Sequence, residues 1–439
     1  MKSNVNIGCI LNYARHTLID QTLLEYIPFF KEHNVGVING ATIAMRLLTN
    51  ADPPEWNPAD DQIKKTCREA ADEYCKKNGS DLARLAIWFS MQANLPPTYV
   101  EGFHDLEAVK SMKYLPLGKT GMMVSKLSFG GGPLGCHFGT YDEDEAIETI
   151  RQAIRQGINY IDTGYWYGQG HSEITIGKAL KGIPRKAYYI ATKVGRYELD
   201  YQNMFDFSIE KTRENLKKSL ERLQVDYVDV IQVHDIEFAP SLDIIITQTL
   251  PELSRQVASG KARHIGITGY PISVLKECIS KSNISIECIL TYTRYTLIDQ
   301  TLLEYIPFFK EHNIGIINAA AVSMRLLTNQ SPPEWHPADD KIKKTCREAA
   351  EYCKKSGSDL ARLAIWFSMQ CDDVATNLIG IQNMEQLKAN IDIANNDISD
   401  KELQLLDNLQ KNFFSKIKGS HWEGKEIKAY QAALDKLKK

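Results

Sequence analysis

The nine cysteines of this 439-residue chain never fall into a C-x-x-C pair, and their number is odd. Cys67 and Cys75 merely recur as Cys346 and Cys353. That usage excludes a disulfide framework and a thiolate zinc site, and it points to reduced thiols in a cytosolic protein. An excess of charge is lacking too: 52 Lys and Arg against 55 Asp and Glu leave a net charge of −3. A nucleic-acid partner or an anionic membrane surface would call for a basic footprint, so neither is expected. No apolar run reaches the length of a bilayer span, and the opening MKSNVNIGCILNYARH holds too short a run for a secretory signal. No G-x-G-x-x-G follows an early strand, which leaves a Rossmann fold without its fingerprint. The histidines are scattered, and no metal is expected. What is present is a composition 43% hydrophobic and 24% charged, enough for a sizeable core and a small-molecule partner.

An internal repeat organises the chain. TLIDQTLLEYIPFFKEHN occurs at Thr17 to Asn34 and again, unchanged, at Thr296 to Asn313. The segment from Ile10 to Gln92 runs parallel to Ile289 to Gln370, with about four residues in five identical and one insertion, Asp72. A single long offset is not the short period of a solenoid or propeller. It reads as one partial copy preceding a larger unit: residues 1–92 the truncated copy, 93–113 a lead-in, 114–439 the complete unit with a C-terminal tail.

Beyond Ser125, short β-rich runs alternate with amphipathic helical patterns. The runs are SKLSFGGG, NYIDTG, YYIATKVG, DVIQVHD, HIGITG, CILTYT, IGIINA and TNLIGIQ. Between them, DEDEAIETIRQAIRQG has apolar residues at helical spacing, and its Asp142 and Glu145 suit a capping box. Near-continuous apolar strands separated by helices predict an α/β fold with a parallel sheet, and eight such units predict a (β/α)8 TIM barrel. LGKTGMMVS, just before the first strand, reads as a hairpin closing the barrel bottom. In such a barrel the functional side chains gather at the C-terminal strand ends.

Those ends carry Asp162, Lys193 and His234, with Tyr167 five residues beyond the aspartate. Taken singly, a tyrosine among aromatics is packing and a histidine beside an aspartate is a satisfied polar residue. Lys193 differs, because a lysine ending an apolar strand needs a counter-charge to offset its desolvation, and Asp162 can supply it.

These four residues, in the contexts D-T-x-x-x-Y-G, A-T-K and V-H-D, resemble the aldo-keto reductase superfamily from about Leu115 to Ile391. FGGGPLG, ERLQVDYVDVIQVHDIEF, GKARHIGITG and LLTNQSPPEWHPA are most similar to its L-galactose dehydrogenase group. The resemblance implies a catalytic tetrad of Asp162, Tyr167, Lys193 and His234, in which Lys193 favours the Tyr167 phenolate. It implies a nicotinamide cofactor held by the Gly130, Gly131 and Gly132 run, Thr268, and the turn and helix with Gly380, Gln382, Asn383, Gln386 and Asn390. Gln382 and Asn383 stand where many members carry Arg or Lys, so NAD is favoured, with NADP possible. Thr268-Gly269, Ile289, Ala320-Ala321-Val322 and Arg325 also depart from the superfamily pattern. The implied function is oxidation of an L-galactose-like aldose at C1. General aldehyde or ketone reduction, or a non-catalytic nucleotide-binding subunit, are the alternatives.

Overall fold

The computed structural model describes residues 9–437 other than 24–25, 28, 30–35, 50, 76, 78–80, 92–94 and 420. Much of the first occurrence of the repeated stretch, and the expected junction near residue 92, lie outside the described residues. The chain forms two compact units, Met1–Leu95 and Pro96–Lys439. Among the described residues no helix is long and apolar enough to cross a membrane.

In the first unit, strands β1 (Cys9–Tyr13) and β2 (Gly36–Gly40) form a two-stranded parallel sheet. A helix, Asp61–Glu69, starts where the Asp60 side chain accepts from the Ile63 N–H, and it continues as a π-helical turn, Ala70–Cys75. That turn contains Asp72, the inserted residue. A helix absorbs one extra residue by widening a single turn, which keeps the flanking faces in phase. Ala71 and Cys75 accordingly stay buried with Leu47, Leu48, Cys67, Leu82 and Ala86 in a small core. The matching helix of the second unit, Asp340–Lys355, lacks the insertion and is α-helical throughout.

The second unit opens with an antiparallel hairpin of β3 (Tyr114–Pro116) and β4 (Met123–Ser125). Eight parallel strands follow: β5 (Leu127–Gly130), β6 (Tyr160–Asp162), β7 (Tyr189–Val194), β8 (Val228–Val233), β9 (Ala262–Thr268), β10 (Cys288–Tyr292), β11 (Gly315–Ala319) and β12 (Thr376–Gly380). They close into a barrel in chain order, β12 pairing with β5. All eight expected strands are present, because a strand covered by helices outside and side chains inside is apolar on both faces.

Parity along each strand decides what reaches the interior. Phe129, Ile161, Ile190, Ile231, Ile289 and Ile316 point outward to the helices, while Tyr160, Ala191, Val230, Cys288, Leu290 and Ile317 fill the barrel. Leu117, Met122 and Val124 of the hairpin join that inner cluster and plug its lower end. Ile289, the departure noted on this strand, therefore packs outward against the helices, while Leu290 points into the barrel. Asp142 caps its helix by accepting from Glu145 N–H at 2.9 Å, but the reciprocal half of the box is absent. The Glu145 carboxylate instead accepts from Met384 N–H, tying this helix to the one after β12.

Candidate active site

The upper ends of β6, β7 and β8 open into a cavity of about 1410 Å³. Inward parity brings Asp162, Lys193 and His234 to it from three adjacent strand ends, and the loop after β6 brings Tyr167. Lys193 Nζ pairs with Asp162 Oδ1, donates to the Thr163 carbonyl at 2.8 Å, and reaches the Tyr167 hydroxyl at 3.2 Å. The Tyr167 ring stands edge-on to His234, with centroids 5.8 Å apart. The four residues thus form one contiguous cluster.

Its electrostatics follow from burial. Desolvation opposes the Lys193 charge, yet Asp162 and Tyr167 outweigh it and hold the ammonium above its ordinary range. Burial pushes the Asp162 carboxyl up, against the pull of Lys193 and of the Gln232 amide. For Tyr167, burial wins over Lys193, so the phenol lies above its usual value and is protonated at neutral pH. Lys193 does favour the phenolate, as expected, but desolvating the anion outweighs this one neighbouring cation here. Burial pulls the His234 imidazole down to about 3, which leaves it neutral at physiological pH.

The residues expected to bind a nucleotide separate into two groups. Thr268, Gly380, Gln382, Gln386 and Asn390 line the cavity. Thr268 Oγ1 accepts from Asp235 N–H at 2.9 Å, which leaves its hydroxyl proton to donate. Gln382 donates to the Pro133 carbonyl at 3.2 Å, and its own N–H is received by the Gln386 side chain at 2.8 Å. Gly131 and Asn383, by contrast, lie off the cavity. A Cβ on Gly131 would stand 2.7 Å from Ser172 Oγ and 2.9 Å from the Asp162 carbonyl, so its bareness lets helix and strand approach each other. The Asn383 side chain caps the helix Met384–Asn395 by accepting from Gln386 N–H at 2.9 Å. A Cβ on Gly380 would meet Pro133 Cγ at 2.5 Å, another packing demand.

Several further residues line the cavity, of which only Arg325 stands out in the sequence. Arg196 pairs with Asp235 at 2.6 Å and stacks over Trp166, 4.0 Å from the ring centroid. Arg325, where the superfamily pattern has glycine, adopts φ 77°, the left-handed conformation that favours glycine, and donates to the Phe138 carbonyl. The C-terminal helix Lys425–Leu437 supplies Glu426 and Tyr430 to the cavity wall. Trp422 instead stacks on Tyr270 and is 3% exposed, a packing role. Among the described residues no group of three or more His, Cys, Asp or Glu side chains is arranged to hold a metal ion.

The model of the aldo/keto reductase family matches residues 126–411, a span that contains all four clustered residues. The chain belongs to this family. It is 42% identical over 278 residues to an L-galactose dehydrogenase of Arabidopsis thaliana, covering 63% of this chain and 86% of that protein. It is 32% identical over 325 residues to a D-arabinose 1-dehydrogenase of Saccharomyces cerevisiae, covering 68% and 93%. Among solved structures, an aldo-keto reductase from Bacillus halodurans in its holo form is similar at 31% identity and a TM-score of 0.55, covering 68% of this chain and 96% of that one. The matched family region lies in the second unit, and the aldo/keto reductase architecture places its cluster at the C-terminal face of a closed barrel.

Proposed function

We propose that this aldo/keto reductase is an NAD(P)-dependent aldose 1-dehydrogenase that oxidises a neutral, L-galactose-like sugar to its lactone. The observation that carries the reading is the Lys193 ammonium, charged by Asp162 and within hydrogen-bond reach of Tyr167, at the floor of the cavity. The names of the plant and yeast relatives support an aldose as substrate. The cavity exceeds the few hundred to about 1,000 Å³ of an ordinary small-ligand pocket, which supports a dinucleotide beside a sugar.

Thr268, Asn390, Gln382 and Arg325 line the part of the cavity that would hold the nucleotide. When bound, the nicotinamide supplies the acceptor for the hydride that leaves C1. Tyr167 takes the proton of the anomeric hydroxyl, and Lys193 stabilises the phenolate formed at that moment. Asp162 keeps Lys193 charged and aimed. Neutral His234 contributes a hydrogen bond to the substrate oxygen. Gln382 and Asn383 offer no cation to a 2′-phosphate, which supports NAD as the preferred partner. The first copy carries none of the four cluster residues, so turnover is assigned to the second unit alone.

One observation favours a second reading. The raised, protonated Tyr167 is a ready proton donor, the form needed for reducing an aldehyde or ketone. Initial rates in both directions, with NAD and NADP on L-galactose, L-fucose, D-arabinose and simple carbonyls, decide between the two. Tyr167→Phe should lower the favoured rate by at least about 10²-fold, and an unchanged rate would remove Tyr167 from the chemistry. Sugar oxidation should accelerate as pH rises, because a phenol held above its ordinary value is deprotonated only in the alkaline range.

A further inference from the structure

Gln232 sits near the C-terminal end of β8, two residues before His234, with no exposed surface. Its strand register puts it beside Lys193 on β7 and Gly266 on β9. Its amide nitrogen donates to Asp162 Oδ2 at 2.7 Å, the carboxylate oxygen that Lys193 leaves free. A carboxylate only accepts, so the amide can face it in one orientation alone. That orientation leaves Gln232 Oε1 buried without a hydrogen-bond partner, an arrangement that costs free energy. Room for the side chain comes from Gly266, where a Cβ would stand 3.1 Å from Gln232 Cγ. An aliphatic residue would fill the same space at no such cost, and other inward positions, such as Val230 and Leu290, are aliphatic.

We propose that Gln232 is a positioning residue for the tetrad: it holds Asp162 anionic, and through Asp162 it keeps Lys193 charged beside Tyr167. The proposal rests on the tetrad reading given above. Asp162 has few other supports. Lys193 and Gln232 donate to its two oxygens, while the nearby Tyr160 and Cys288 are both held protonated by burial and offer no positive charge. Tyr167 faces it across Lys193, and His234 is neutral. Without the Gln232 donor, burial acts on Asp162 opposed by Lys193 alone. The proton then moves toward a neutral carboxylic acid and amine pair, and Tyr167 loses the cation that eases its ionisation.

Two variants of the full chain test this. Gln232→Met keeps the volume and removes the donor. We expect kcat for sugar oxidation to fall by about tenfold or more, the size of a lost hydrogen bond to a charged group, with KM little changed. The rise of kcat with pH should move to higher pH. Gln232→Glu can donate to Asp162 only while its own carboxyl is protonated, so its activity should fall as pH rises, opposite in sign to the parent. A second readout needs no turnover: the ultraviolet phenolate signal of Tyr167, taken as the difference from a Tyr167→Phe partner, should titrate at higher pH in Gln232→Met. Parental kcat and pH profile in both folded variants would overturn the role, as would equal losses at every pH with no displaced Tyr167 titration. If no sugar is oxidised by the parent, the aldose reading fails while the Tyr167 titration still judges Gln232.

Discussion

Leu11 and Leu290 hold the same place in two nearly identical segments, yet one is 64% exposed and the other 5%. Ile38 and Ile317 repeat the contrast at 51% and 0%. In both copies the two strands pair in parallel with matching register, and the same leucine, cysteine and alanine positions form a core under the following helices. Local structure is thus reproduced by local sequence. What the first copy lacks is the set of six strands and the hairpin that cover the inward face in the barrel, where Leu117, Val124 and Leu378 pack beside Leu290 and Ile317. One substitution fits this difference. In the barrel, Asn318 donates to Asn377 on β12; in the first copy the equivalent Asn39 receives Asn12, which replaces Thr291. The paired asparagine serves where no β12 counterpart is part of the sheet.

The comparison can be broken most forcefully through catalysis. Lys193→Met in the full chain should lower turnover by about 10³-fold. Residual activity near the parental rate would remove Lys193 from the chemistry. Next comes a matched pair read by denaturant unfolding. Ile317→Ala opens a cavity inside the barrel and should cost about 2–5 kcal/mol, whereas Ile38→Ala on an exposed face should stay within about 0.5 kcal/mol. Equal costs would show that the inward face of the first copy is covered after all. Deleting Asp72 should sharpen the likeness by turning the π-helical turn into regular α-helix, seen as stronger amide-exchange protection across residues 70–75. The smallest effect is expected from removing the first unit: a chain beginning at Pro96 should keep its initial rates within about twofold, since a factor near two is well under 1 kcal/mol.

The candidate site was partly legible for a specific reason. A residue at the end of a barrel strand has its direction set by alternation, so Asp162, Lys193 and His234 could be brought together from spacing alone, and Tyr167 followed from its motif. Arg196, Gln232 and Glu426 could not. Arg196 and Glu426 come from a loop and from a terminal helix, separated by more than two hundred positions, and the Gln232 contact with Asp162 depends on the space that Gly266 leaves. Gly131 and Asn383 show the limit of a motif: both stand in family motifs, and the structure adds a packing role for one and a helix cap for the other.

Periodicity, capping residues and turn chemistry are carried by neighbours along the chain, and from these the sequence by itself determined eight strands, their order and the faces they present. Burial is a property of everything that surrounds a side chain. Only the closed barrel could therefore decide that Leu290 is inside while Leu11 is not, that Ile289 faces the helices, and that desolvation outweighs Lys193 at the Tyr167 phenol.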